Sequence, residues 1–272
     1  MFRKKKATVF GEVSEVEQLT PGLRRVTLVG GTLHQFPGSE FTDAYISAQF
    51  LPPGSPIEVP FEQRGVAGVA REHQPYARRL TIRRWDPDAQ SLAIDFVSHG
   101  DAGFAGSWAN RVQAGDRLQF AGPGGSYRPS AKVDWHLMVG DESAFGAIGA
   151  SLESLPEDHH ALVVAVVDEP GHEVLFPSKA KVTLNWVYRV SSEAPEALLM
   201  EAVKGAVFPD GSFDVFVHGE AEETRAVRRH LIVDRGVDPK KASISPYWRR
   251  GLTDEDWRTV KRQWMAEQAK DA

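Results

Sequence analysis

The chain has 272 residues, 42% of them hydrophobic and 25% charged, with a formal net charge of −5; this is the makeup of a globular protein long enough for two cored domains. The negative balance argues against bulk attraction to nucleic acid, and the absence of cysteine excludes disulfides, cysteine-ligated iron–sulfur clusters and thiol redox chemistry in this chain. No segment approaches the roughly 18 apolar residues that span a bilayer, and the basic start at Arg3, Lys4, Lys5 and Lys6 lacks the apolar run of a signal peptide, so a cytoplasmic protein with neither membrane nor nucleic-acid partner is expected.

Residues 8–30 alternate and end in Arg25-Val26-Thr27-Leu28-Val29-Gly30, a half-buried strand. Phe41 to Leu51 is a second strand, and residues 54–77, rich in Gly, Pro and charge, read mostly as loop. Arg78 opens a further strand with Leu80 and Ile82 on one face and Thr81 and Arg83 on the other. Ser91 to Ser98 alternates clearly, with Leu92, Ile94 and Phe96 to one side. Gly103 to Trp108 is a turn into a short helix, and Asp116 to Gly122 is the next strand. Short strands at this spacing predict an antiparallel barrel.

The pattern changes near Pro129. Trp135 to Val139 and Ala161 to Val167 are apolar almost throughout, as in strands covered on both faces. Ser143 to Leu155, Pro195 to Val207 and Glu220 to Val233 have helical spacing, the last with Ala226, Val227, His230 and Leu231 inward. Val182 to Val190 and Phe213 to Val217 are strands between them. Repeated βα units predict a parallel-sheet α/β domain. His159-His160 reads as a solvated turn, and no histidine spacing suggests a metal site. From Leu252 a last helix is capped by Thr253, with Trp257, Val260 and Trp264 as its apolar stripe. It packs on the α/β domain or a partner, or else acts as a lid.

An Arg at a strand end such as Arg78 suits a pyrophosphate, because its planar fork donates paired bonds. Gly103 and Gly106 let backbone N–H groups approach an anion, and Ser107 adds a hydroxyl. Gly140-Asp141-Glu142-Ser143 and His218-Gly219-Glu220 both leave apolar strands and enter helices, where α/β sheets bind ligands. The G-x-G-x-x-G fingerprint is missing. A nucleotide site and two ordinary helix N-termini favoured by the macrodipole therefore stand as equal readings.

In order along the chain stand Arg78-x-x-Thr81-x-Arg83, Asp95-Phe96-Val97-x-His99-Gly100, Gly103-x-Ala105-x-x-Trp108-Ala109, Gly115-Asp116, Gly122-Pro123-x-Gly125, Gly140-Asp141-Glu142-Ser143 and Tyr247-Trp248-Arg249-x-Gly251. Over about Val9 to Gly251 the chain resembles the siderophore-interacting protein family of FAD-dependent ferric-siderophore reductases. Leu80, Phe104, Gly106 and Gly146 stand where the family's pattern has Tyr, Pro, Ser and Pro, and Val217-His218 replaces its usual pair. A Leu covers an isoalloxazine face without aromatic stacking.

The resemblance implies a six-stranded antiparallel Greek-key β-barrel for FAD at residues 1–128. It implies an α/β domain for NADPH or NADH at 129–251, with the helix at 252–272 as a separate element. It implies cofactor contacts at Arg78, Leu80, Thr81, Arg83, Phe96, Val97, His99, Gly103, Ala105, Gly106, Ser107, Trp108, Asp141, Glu142, Ser143, Gly219 and Glu220. A nicotinamide would reduce the flavin and the flavin would reduce Fe(III) in a bound siderophore, with no protein acid or base in the central step. Arg128, Arg249 and Arg250 are the candidate contacts for an anionic chelate. A general NAD(P)H–flavin oxidoreductase and a siderophore binder without flavin are the alternatives. A monomer is the provisional reading, with the oligomeric state left open.

Overall fold

The computed structural model describes residues 8–98 and 103–271. The chain divides into two compact units between Tyr127 and Arg128. Among the described residues no helix is long and apolar enough to cross a membrane.

The first unit is a closed antiparallel barrel. Its strands are β1 (Thr8–Thr20), β2 (Leu23–Val29), β3 (Tyr45–Phe50), β4 (Tyr76–Asp86), β5 (Ser91–Val97) and β6 (Arg117–Gly124), in the order β1-β2-β5-β4-β3-β6. The nonsequential neighbours β2–β5 and β3–β6 make it a Greek key. β1 pairs with β6, Val9 opposite Phe120, which removes the open edges. Alternation fills the interior: Leu92, Ile94 and Phe96 of β5 meet Val26, Leu28, Ile46, Phe50, Ile82 and Phe120, all buried. The long connection before β4 holds two single turns of helix, α1 (Gln63–Val66) and a 3-10 turn at Arg71–His73. Helix α2 (Phe104–Arg111) follows β5.

The second unit is a parallel sheet of β7 (Trp135–Gly140), β8 (His160–Val167), β9 (Lys181–Tyr188), β10 (Phe213–Glu220) and β11 (Ala242–Trp248), ordered β11-β10-β7-β8-β9. Helices α3 (Phe145–Ser154), α4 (Leu198–Gly205) and α5 (Ala221–Arg229) connect the strands, and α6 (Asp254–Gln268) ends the unit. Every residue of β7 is buried, which explains its unbroken apolar run. The chain steps from β7 to β8 and β9, then returns to the other side of β7 for β10 and β11. The switch point therefore lies between the carboxyl ends of β7 and β10.

Several local expectations change. Residues 242–248 were not expected to form a strand; β11 carries Pro246, Ser243 and Ser245, and lies on the sheet edge where a missing N–H is tolerated. Val190 and Val207 fall outside β9 and α4 and are exposed. The expected helix to Val233 leaves α-geometry after Arg229 in a π-turn, His230–Asp234, and its buried face includes Glu223 and Thr224. His159 is hydrogen-bonded at 2.9 Å to buried His136, and His160 opens β8, so the pair is not a solvated turn. On α6, Thr253 does cap the helix, but Val260 is 40% exposed while Trp257, Trp264 and Gln268 are buried. The inner stripe follows i, i+7 and i+11, and Lys261 reaches from it to the Pro246 carbonyl at 2.6 Å.

Candidate functional site

In the barrel, β4 and β5 pair only from Asp86↔Ser91 to Ile82↔Ile94 among the described residues. Beyond that point Tyr76 to Thr81 pairs with β3 alone, and Asp95 to Val97 pairs with β2 alone. The two strands part where Arg78, Leu80, Thr81 and Val97 lie. Arg83 is the extra residue of a bulge between Ile82 and Arg84. This breaks the expected alternation and re-aims its side chain, which is buried. Arg78 is also buried, only 8% exposed. Its guanidinium lies 5.3 Å from the centre of the Phe104 ring, and Phe104 stacks on Tyr76 at 3.9 Å and 13°. The first residue of α2 is thereby held against the start of β4. Sequence reading missed this role of Tyr76 and Phe104; an aromatic two residues before Arg78 was the available signal.

Gly103, at φ 76° and ψ 176°, caps α2 in a conformation that L side chains rarely adopt, although an added Cβ would meet nothing. Gly106 lies against the end of β5, yet a Cβ there would sit 3.4 Å from the Val97 carbonyl oxygen, so the family's serine would fit. Ser107 accepts a bond from Arg111 at 2.8 Å. Phe96 is 1% exposed and its ring packs with Phe50 in the barrel core, while Trp108 is half-buried and packs against both rings. Ala105 packs partly on the same core, as does Leu80. His99 and Gly100 lie outside the described residues. Two buried guanidiniums, a glycine-capped helix start and an apolar Leu80 beside parted strands fit the pyrophosphate and ring of FAD.

At the switch point Asp141 is buried, and its carboxylate accepts four bonds. Oδ1 takes the N–H of Ser143 at 2.9 Å and the Ser143 hydroxyl; Oδ2 takes the N–H of Glu220 at 2.8 Å and Trp248 Nε1 at 2.7 Å. One side chain thus ties the ends of β7, β10 and β11. Gly219 is required beside it: φ is +146°, and a Cβ would lie 2.7 Å from Asp141 Oδ2. Glu220 caps α5, accepting from Glu222 N at 2.7 Å and Glu223 N at 3.1 Å, while its other oxygen accepts from Arg250 N at 3.0 Å. Glu142 is held by Arg189 through two bonds of 2.8 Å each, and burial raises its pKa despite that partner. The carboxylates of Asp141, Glu142 and Glu220 are thus each engaged by protein donors. Ser143 likewise donates to Asp141.

Arg249 pairs with Glu222 at 3.0 Å and Arg250 with Glu223 at 2.9 Å, both half-exposed, while Arg128 is exposed. Glu223 is fully buried, with one oxygen lacking a partner. Burial, with the nearby Asp141 charge, pushes its pKa from 4.5 up to about 7. Burial drives His218 the other way, to about 3.

The Glu223 shift predicts a pH signature. Its folded value exceeds the unfolded one, so the stability it contributes is present below pH 4.5 and is lost as pH rises to about 7. Glu223→Gln keeps an acceptor for Arg250 and removes the titration. The unfolding free energy of the variant minus that of the parent is expected to climb from pH 4.5 to about 7 and then level off. The His218 contribution, common to both proteins, cancels. Urea unfolding of the two proteins across this range checks it, and a pH-independent difference contradicts it.

Residues 12–127 match the siderophore-interacting FAD-binding domain family, and residues 133–251 match the siderophore-interacting protein family. The ferric vibriobactin reductase ViuB of Vibrio cholerae is 34% identical over 87% of this chain and 88% of its own. The NADPH-dependent ferric-chelate reductase of Escherichia coli is 26% identical over 87% of this chain and 91% of its own. The crystal structure of the siderophore-interacting protein SipS from Aeromonas hydrophila superposes with a TM-score of 0.81 and 28% identity, over 96% of this chain and 99% of that one.

Proposed function

This chain belongs to the siderophore-interacting protein family, and on that premise we propose that it is an FAD-dependent reductase that passes electrons from NADPH to a ferric siderophore. The observation that carries the reading is buried Arg78, which lies where β4 and β5 part and 5.3 Å from the Phe104 ring at the start of α2, with a second buried arginine, Arg83, at the bulge where the two strands meet, all within residues that match an FAD-binding domain.

When bound, FAD accepts two electrons as a hydride and passes them on singly. The residues of the chain bind and orient. Arg78 and Arg83 hold the pyrophosphate, with the N-terminal turn of α2 after Gly103 adding backbone donors. Leu80 and Val97, on the separated strand ends, flank the ring. In the second unit, Asp141 and Gly219 keep the ends of β7 and β10 close, which shapes the edge that receives the nicotinamide nucleotide. Arg128, Arg249 and Arg250 supply positive charge for the anionic chelate, and the chelate must compete with Glu222 and Glu223 for the last two. Reduction weakens the hold of hard oxygen ligands on iron, because Fe(II) carries less charge.

The purified protein is expected to take up FAD and show a flavin absorption band. NADPH is expected to bleach that band without oxygen, and a ferric siderophore to restore it. A colourless protein that takes up no added FAD contradicts the reading. Reoxidation by other acceptors but by no ferric chelate points to a general NADPH–flavin oxidoreductase.

A further inference from the structure

We propose that Asp168 governs how this protein discriminates between NADPH and NADH, by holding the face of Arg189 that a 2′-phosphate would take. The inference rests on the reading that the second unit binds a nicotinamide dinucleotide. In a doubly wound sheet, the adenosine ribose lies at the carboxyl end of the strand beside the first, where an acid or an Arg reads its 2′-position. Here the first strand is β7 and its neighbour is β8.

Asp168 is the first residue after β8, and Arg189 is the first after β9. Val167 and Tyr188 are register partners, and the N–H of Val190 donates to the Asp168 carbonyl at 2.9 Å, so the two strand ends run side by side. Glu142, just past the end of β7, grips the guanidinium from within: Nη1 and Nη2 each reach one of its oxygens at 2.8 Å. The Arg189 and Glu142 side chains are only 14% and 11% exposed. Nη1 is shared with Asp168 Oδ1 at 2.7 Å, and the Asp168 side chain is 52% exposed.

One guanidinium thus has a fixed inner partner and an exchangeable outer one. Two carboxylates against one guanidinium leave this edge net negative, and Glu169, half-exposed, adds to it. That balance weakens the grip on the 2′-phosphate of NADPH and lets a ribose hydroxyl, which donates to the half-exposed carboxylate, compete with it. Without the Asp168 carboxylate, a rigid planar donor is presented to a 2′-phosphate.

The test is calorimetric titration of the purified full-length protein with NADP⁺ and with NAD⁺, comparing the parent, Asp168→Ala, and Asp168→Ala combined with Arg189→Lys. The lysine keeps a charge opposite Glu142 but lacks the fork. Asp168→Ala is expected to improve NADP⁺ binding relative to NAD⁺ by about tenfold, the scale of one charge-assisted bond. The double variant is expected to lose most of that gain. An unchanged ratio, or a gain that survives in the double variant, overturns the proposal. If neither nucleotide binds any of the three proteins, the nicotinamide reading falls with it.

Discussion

Asp141→Ala is expected to lower the unfolding free energy of the second unit by about 3–5 kcal/mol, the range for losing one partner of a buried charged network. The substitution removes the common acceptor of Ser143, Glu220 and Trp248, and leaves two backbone N–H groups, a hydroxyl and an indole N–H to find other partners. The donors come from the ends of three strands, so the loss falls on the register of β7, β10 and β11 together. Asp141→Asn keeps the volume but turns an amide against donors, and an intermediate loss is expected. Urea unfolding followed by circular dichroism checks this: the transition of the second unit moves and that of the barrel does not. Unchanged stability with lost nucleotide binding would instead make Asp141 a ligand contact.

Arg78→Ala is expected to weaken FAD binding by ~10- to 100-fold, corresponding to the ~1.5–3 kcal/mol of a charge-assisted bond. The barrel itself should stay folded, since the Tyr76–Phe104 stack persists without the guanidinium that covers it. Arg79→Ala is the control: Arg79 is exposed, points to the opposite face of β4, and lies over the Tyr45 ring. Arg78→Lys retains charge but not the planar fork, and should fall between. Fluorescence titration with FAD measures all three. Equal affinity for parent and Arg78→Ala would remove the phosphate assignment.

Some of this site was legible from residue order alone. The turn of Gly103 to Trp108, the arginines of β4 and the two strand ends at Gly140 and His218 could all be located before any coordinates. Their individual roles could not. Phe96 and Trp108 belong to the neighbouring motifs of the same pattern, yet Phe96 fills the barrel and Trp108 packs against its core. Asp141, Glu142 and Glu220 look like ligands for a nucleotide, yet each carboxylate accepts from at least one donor far along the chain. Trp248 lies 107 positions from Asp141, and Arg189 lies 47 from Glu142. No window of neighbouring residues contains such a pair.

What the sequence by itself determined is whatever depends on period and local chemistry. Leu92, Ile94 and Phe96 alternate because a strand turns successive side chains to opposite faces. Trp135 to Val139 is unbroken because both faces of its sheet are covered. The ordered motifs, taken together, resemble one family. Tertiary structure alone decided which strands are neighbours, where β4 and β5 part, that a bulge re-aims Arg83, and that a proline-bearing segment completes the sheet as β11. Those outcomes depend on hydrogen bonds and burial between segments far apart in the chain. Such pairings are fixed by the closing of a barrel and the reversal of a sheet, and leave no period for local reading to detect.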